Sequence, residues 1–337
     1  MDISSNDQIV HVTGPDGSDI AVPVDASNDA AYFDADTSSG ADIRSYYDEN
    51  GYVVVRGIVD TALCDAVNRH FSTEIKRYTG PLYRQTTGNP EENEFSDQGF
   101  ILNPVLNVQD LPQRLFPEFR RDALAIITHA NTQKVVRYLL GEPGLIVQSM
   151  AFEGNPATWA HQDSYYLDST TLGKMTAGWF ALEDIAPGAG RFFVYPRSNR
   201  VVMKKNSEDI DYAFHHDAYK SAVIETIRSN NLVCRAPALK KGDVLFWHSM
   251  TMHGSLETTT PSRSRRSLTA HYVPESTGLL QFQRRERKLR IKSINGLKVH
   301  HPKPQDELLN RIVLFLAFRF SGPFRALKRL AIKYVTG

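Results

Sequence analysis

His161 and Asp163 stand two residues apart and combine an imidazole with a carboxylate. On an extended stretch, positions i and i+2 project from the same face, so the pair can share a metal ion. A third ligand has to come from elsewhere, and His253, which follows the apolar run Gly242 to His248 and precedes Gly254-Ser255, is the candidate. Two histidines and a carboxylate leave three positions open on an octahedral ion, the donor set of non-haem Fe(II) oxygenases. A zinc hydrolase accepts the same donors, so the three residues alone leave both chemistries open. His248 competes with His253 for the third place, and His271 either faces the pocket or, as the preferred reading, is a buried structural histidine.

A cation further along the chain narrows the chemistry. Arg265-Arg266-Ser267 opens a strand-like run downstream of His253. Alternation puts Arg265 and Ser267 on one face and Arg266 on the other. A guanidinium beside a hydroxyl, on a sheet that also carries metal ligands, is suited to grip a distal carboxylate through a bidentate pair. That is what 2-oxoglutarate requires of a site.

Such residues need a rigid scaffold. From Leu145 onward the texture is β: Leu145 to Phe152, Met175 to Leu182, Arg191 to Tyr195, Asp243 to His248 and Ser267 to Val273 are short β-branched or aromatic runs separated by turn residues. This is the pattern of a sandwich or barrel. A helical insert is expected over about 207–229. Upstream, the spacing predicts a helix near Asp42 to Asn50, a strand over Gly51 to Arg56, and a helix capped by Asp60 whose buried face is Leu63, Val67, Phe71 and Ile75. A second helical region is expected from Glu118 to Leu140, ended by Gly141 and Pro143. The aperiodic stretch from Gly80 to Pro112 reads as a lid. Helices followed by strands give an α+β fold with a mainly β core.

The 337 residues fit one large domain with extensions, at roughly 150 residues per domain. Hydrophobic residues at 41% and charged residues at 23% exclude a chain disordered throughout, a collagen-like fibre and a disulfide scaffold. The net charge of +1 hides an asymmetry: residues 1–43 hold nine Asp and no Lys or Arg, whereas residues 284–337 hold fourteen Lys and Arg against three acids. A near-neutral body argues against nucleic-acid binding. The expected organisation is an acidic, loosely ordered arm over 1–40, a core domain over 41–283 and a basic amphipathic extension over 284–337. Cys64 and Cys234 lack CxxC spacing, the N-terminal residues lack a signal-peptide pattern, and the best apolar run, Ile312 to Phe318, is far short of the ~20 residues that cross a bilayer. A cytoplasmic protein, peripheral to membranes if it meets them at all, is expected.

The ordered motifs resemble one family. Tyr46-Tyr47-Asp48-Glu49-Asn50-Gly51-Tyr52-Val53-Val54, Gln148-Ser149-Met150, Trp159-Ala160-His161-Gln162-Asp163, Gly242-Asp243-Val244, His253-Gly254-Ser255 and Arg265-Arg266-Ser267-Leu268 resemble, in order, the signature stretches of the phytanoyl-CoA dioxygenase family of Fe(II)/2-oxoglutarate oxygenases. The resemblance spans roughly residues 42–275. Two segments depart from the family pattern, Ala189-Gly190-Arg191-Phe192 and Pro196-Arg197-Ser198-Asn199.

The resemblance implies a double-stranded β-helix, a cupin-like jelly-roll, flanked by N-terminal helices. It implies that His161, Asp163 and His253 bind Fe(II), with Gly254-Ser255 favouring His253 over His248. Arg265 would hold 2-oxoglutarate, aided by Ser255 or Ser267, with Trp179 and Gln148 nearby. With O2 as cosubstrate, the implied reaction hydroxylates an unactivated C–H bond of a small molecule and releases succinate and CO2. The Asp163 carboxylate implies hydroxylation rather than halogenation. The alternatives are a membrane-recruited oxygenase acting on a lipid or acyl substrate, and a metal-binding cupin that does not turn over. In the tail, the apolar and basic residues of 305–337 read as two helices hinged at Ser321-Gly322-Pro323. They dock on the protein's own body, form a homodimer contact, or lie on anionic lipid.

Overall fold

The computed structural model describes residues 9–15, 17–23, 32–201, 203, 216–320 and 322. Its centre is a nine-stranded sheet running in the order Ile291–Ile294, Leu297–His300, Gly144–Phe152, Ser267–Pro274, Thr176–Ala181, Val244–His248, Tyr52–Arg56 and Tyr32–Asp34, with Val105–Leu106 pairing beside Gly144–Phe152. The pairs are antiparallel except the two outer joins, Leu297–His300 to Gly144–Phe152 and Tyr32–Asp34 to Tyr52–Arg56. A second sheet of three strands, Phe192–Val194, His253–Ser255 and Thr158–His161, has the His253 strand in the middle.

Strand periodicity explains the layering. Val53, Val55, Phe180, Val244, Phe246, Leu268, Ala270 and Tyr272 point to one face of the large sheet and share a core with helices α1 (Gly40–Asn50), α2 (Thr61–His70), α3 (Pro117–Ile127) and α4 (Ala130–Leu140). Their neighbours Tyr52, Val54, Ala177, Trp179, Leu245 and Trp247 point the other way and pack on Phe192 and Val194 of the small sheet. Because both faces are covered, these strands read as continuous apolar runs rather than alternating ones. The small sheet's far face, Ala160 and Phe193, packs on α5 (His216–Ser229) and on Val12, Ile20 and Val22 of the hairpin Ile9–Thr13/Asp19–Pro23.

Several local expectations hold. Asp60 accepts from the Ala62 amide at 2.8 Å, and Val67, Phe71 and Ile75 are buried, the last two in a single π-helical turn. Others change. The region from Glu118 to Leu140 is two helices, because His129 leaves helical geometry and its Nδ1 accepts from the Asn131 amide to start α4. The large sheet starts before residue 41, at Tyr32–Asp34, and continues past residue 283, through Ile291–Ile294 and Leu297–His300. Edge pairing of this kind leaves no local trace in composition. Of the expected 207–229 insert, residues 216–229 form α5 and the rest lies outside the described residues.

The stretch read as a lid is laced down. Arg84, fully buried, donates to the carbonyls of Glu91 and Asn103 and to Asn93 Oδ1; Asn93 in turn donates to the carbonyls of Ile75 and Tyr78. Buried Glu153 accepts from the Ile101 amide, from Lys76 Nζ and from Arg266 Nη2. A polar segment can pack like this only when its backbone groups are paired internally, which aperiodic sequence does not reveal.

Candidate metal centre

The small sheet supplies both histidines. His161 and His253 end up as direct register partners on adjacent strands, with ring centroids 4.4 Å apart, and Asp163 follows at the start of a short 3-10 turn. The Nε2 atoms of His161 and His253 lie 3.7 and 3.4 Å from Asp163 Oδ1, and one ligand atom from each residue falls within 4.8 Å of the others. Each histidine is oriented by its own backbone: His161 Nδ1 meets the Trp159 carbonyl and His253 Nδ1 the Thr251 carbonyl, both at 2.9 Å. A carbonyl can only accept, so Nδ1 carries the hydrogen and the Nε2 lone pairs are aimed at the shared point.

The large sheet fixes the carboxylate. Trp247 Nε1 donates to Asp163 Oδ2 at 2.8 Å and His271 Nε2 lies 3.2 Å from the same oxygen. This leaves Oδ1 toward the two histidines. Trp247 and His271 belong to one row across the sheet, in which the register pairs Gln148 with His271, His271 with Ala177 and Ala177 with Trp247. The small side chain of Ala177 separates the two donors. Burial alone would raise the Asp163 carboxyl, but the imidazoles of His253, His271 and His161 around it overcome this and hold it well below the usual carboxylate range. Burial pushes His253 down, against the pull of Asp163. A carboxylate and neutral imidazoles are the forms that bind a cation.

Iron or zinc is accommodated by this donor set, with two imidazole nitrogens and one carboxylate oxygen converging and no protein proton between them. We expect Trp247→Phe, which deletes one of the two donors to Asp163 Oδ2 while keeping an aromatic ring, to weaken Fe(II) binding about 10- to 100-fold. Anaerobic iron titration of the folded variant checks this.

Arg265 is 3% exposed, between the rings of Phe152 and Trp179 at 5.8 Å each. Its Nη1 donates to the Gly190 carbonyl at 3.1 Å, its Nε is buried without a partner, and no carboxylate pairs with it among the described residues. Burial lowers its pKa to about 9. An uncompensated buried guanidinium is costly, and its natural complement is an anion. Gly190, at φ +78°, lies in the Ala189 to Phe192 segment that departs from the family pattern, and a Cβ there would collide with Asn155. Arg266 points to the helix side, as alternation requires, and pairs with Glu153 at 2.7 Å.

A line of rings joins the cation to the triad. Trp179 packs on Phe192 at 6.2 Å, and Phe192 stacks on His253 at 5.4 Å and 17°. The hydroxyls differ in availability. Ser267 donates to the Arg265 carbonyl at 3.2 Å, whereas Ser255 accepts from the Thr158 amide and keeps its own hydrogen free to donate. Gln148 is half-buried beside His271, 3.9 Å from Met150 Sδ.

His248 is excluded as a ligand by strand parity: it points away from Trp247, packs near Tyr47 and accepts from the Met250 amide through Nδ1. Burial lowers its pKa to about 4. The unfolded chain therefore takes up a proton below about pH 6.5 that the folded chain refuses, so His248 makes stability fall as pH drops from 6.5 toward 4. His248→Gln is expected to flatten that part of the decline in urea midpoint against pH for the metal-free protein.

Sequence reading missed Trp247 and Phe192 and preferred a structural part for His271 over the pocket-facing one that the structure shows. Parity along Gly242 to His248 places Trp247 on the ligand side and was the signal available for it. Nothing local announces that Phe192 stacks on His253. An aromatic group comprising Trp159, Tyr165, Tyr166 and Tyr219 surrounds His161, and Tyr219 accepts from the Gln162 amide.

Known proteins resemble this chain in sequence and in fold. The model of the family described as phytanoyl-CoA dioxygenase (PhyH) matches residues 47–267. The chain is 24% identical over 270 residues to phytanoyl-CoA dioxygenase domain-containing protein 1 of Bos taurus, covering 69% of this chain and 89% of the relative. It is 21% identical over 246 residues to the peroxisomal phytanoyl-CoA dioxygenase of Homo sapiens, covering 68% and 67%. Among solved structures, EctD from S. alaskensis with 2-oxoglutarate and 5-hydroxyectoine shares the fold at a TM-score of 0.54 and 17% identity, over 89% of this chain and 97% of that one. The non-heme alpha ketoglutarate dependent epimerase SnoN from nogalamycin biosynthesis does so at 0.52 and 18%, over 72% and 86%.

Proposed function

The chain belongs to the phytanoyl-CoA dioxygenase family, and from that premise we propose that it is a non-haem iron dioxygenase that consumes 2-oxoglutarate and O2 and hydroxylates a C–H bond of a small molecule. The facing sheets are read as the double-stranded β-helix of such enzymes. His161, Asp163 and His253 would hold Fe(II). The observation that carries the reading is Arg265, a buried guanidinium with no anion among the described residues, joined to the triad by Trp179 and Phe192. Bound together, iron and 2-oxoglutarate supply the oxidising power, with decarboxylation to succinate and CO2 coupled to transfer of an oxygen atom from O2.

The protein's own part is orientation and exclusion. Arg265 would grip the distal carboxylate of 2-oxoglutarate, its fork partly held by the Gly190 carbonyl so that little freedom is lost on binding. Ser255 would add a hydroxyl donor, and Trp179 would wall the pocket while stacking its face toward the guanidinium. Trp247 and His271 keep the Asp163 carboxylate from turning, so its Oδ1 stays presented to the metal. Gln148 lies on the same inner face and would offer an amide to ligands reaching the His271 row.

The test is release of labelled CO2 from 1-labelled 2-oxoglutarate, with Fe(II) and O2, by the whole protein, together with equilibrium binding of 2-oxoglutarate under nitrogen. Iron-dependent binding of 2-oxoglutarate and succinate formation support the reading. Iron binding with no affinity for 2-oxoglutarate points to a non-catalytic cupin, and hydrolysis supported by zinc alone points to a hydrolase; either outcome defeats it.

A further inference from the structure

The helix Leu308–Arg319, α6, has no buried residue. Its sequence, LLNRIVLFLAFR, is apolar on nearly every side, and a helix of that kind is normally enclosed by protein or by lipid. Here it is bare. Leu308, Leu309, Ile312, Phe315, Leu316 and Phe320 make up six of the fourteen large exposed apolar side chains among the described residues, with Leu309 70% and Leu308 64% exposed. At 100° per residue the five that lie within α6 fall in one broad arc, which carries Arg319 at the C-terminal end of the helix, and Phe320 follows as its C-cap.

The root of the helix is firmly fixed. Asp110 accepts from the Lys303 amide through Oδ2, its carbonyl accepts from the Gln305 amide, and His301 Nδ1 lies 3.2 Å from its Oδ1. Asp306 pairs with Arg120 at 3.0 Å and Glu307 with Arg290 at 2.7 Å. These contacts use the last two acids of the chain. From Leu308 to Gly337 the sequence holds six cations, Arg311, Arg319, Arg325, Lys328, Arg329 and Lys333, and no acid.

We propose that α6 seats on the surface of an anionic phospholipid bilayer, lying in the headgroup plane with its apolar arc toward the acyl chains. Charge selects this occupant. A second copy laid against α6 would bring like charge to like charge, whereas an anionic leaflet offers apolar depth and a countercharge together. The geometry also limits the mode of contact: no helix of the described residues is long and apolar enough to cross a membrane, so α6 can lie on a bilayer but not span it. The fixed root would hold the oxygenase body against the surface.

The experiment floats the whole, iron-loaded protein with vesicles of phosphatidylcholine and phosphatidylglycerol at 3:1, and with phosphatidylcholine alone. The wild type is expected to float with the anionic vesicles, at least tenfold more than with neutral ones, and to be released by high salt. L309E/F315E is expected to lose at least nine-tenths of that binding, and R311E/R319E to lose it selectively for anionic vesicles, while circular dichroism and Fe(II) affinity stay at wild-type values. Equal flotation of L309E/F315E and the wild type would overturn the proposal. So would absence of wild-type binding, including the case in which sedimentation shows a dimer that L309E/F315E turns into a monomer. Since none of these variants touches the triad or Arg265, failure here leaves the oxygenase reading unaffected.

Discussion

Arg265→Leu is expected to destroy binding of 2-oxoglutarate while making the ligand-free protein no less stable. Removing one partner of a buried charged pair costs about 2–5 kcal/mol, a rise in dissociation constant of roughly thirtyfold to several thousandfold. The sign of the stability change is the distinctive part. In the free protein the guanidinium is buried with one neutral acceptor, the Gly190 carbonyl, and with an unpartnered Nε. Exchange of such a cation for an apolar side chain of similar reach is neutral or stabilising. The urea midpoint without ligand should therefore stay level or rise in the variant, and added 2-oxoglutarate should raise it only in the wild type. Arg265→Lys keeps the charge and loses the fork, so it should fall between the two. A variant that binds 2-oxoglutarate normally would remove Arg265 from the site.

Asp163→Asn is expected to abolish tight iron binding, by at least about a hundredfold, a larger effect than for residues that act only by supporting a ligand. The hydrogen bonds around the carboxylate say why so conservative a change should be so damaging. Trp247 Nε1 can only donate, and the acceptor it needs is Asp163 Oδ2. An asparagine satisfying that donor turns its oxygen toward Trp247 and His271 and leaves its Nδ2, a donor without a free lone pair, in the place of Oδ1. Two imidazole lone pairs would then face an N–H group instead of sharing a cation with an oxygen. Anaerobic Fe(II) titration measures the loss, and iron affinity within a few fold of wild type would mean that Asp163 is not a ligand.

The order of these effects follows from where each side chain stands. Asp163 and Arg265 would contact the ligands themselves, Trp247 acts through Asp163, and His248 lies on the far side of its strand, where it affects stability alone.

Much of this was written into local spacing. The two-residue period of a strand put Arg265 with Ser267 and sent Arg266 to the helices. The His161-Gln162-Asp163 spacing brought the first two candidate ligands together, and Asp60 announced a helix. Those readings depend only on neighbours in the chain, and a backbone of fixed geometry carries them directly into space. Tertiary structure decided the remainder. Cross-strand register alone set Trp247 and His271 on one oxygen of Asp163, 84 and 108 residues away in the chain. It also set Phe192 against His253, and it turned the polar stretch around Arg84 into a laced wall instead of a lid. Whether a charged side chain is paired is likewise a property of its surroundings. The sequence shows that Arg265 is a cation. Only the folded chain shows it enclosed with no anion among the described residues, since burial and pairing are fixed by contacts between segments that the chain order keeps apart.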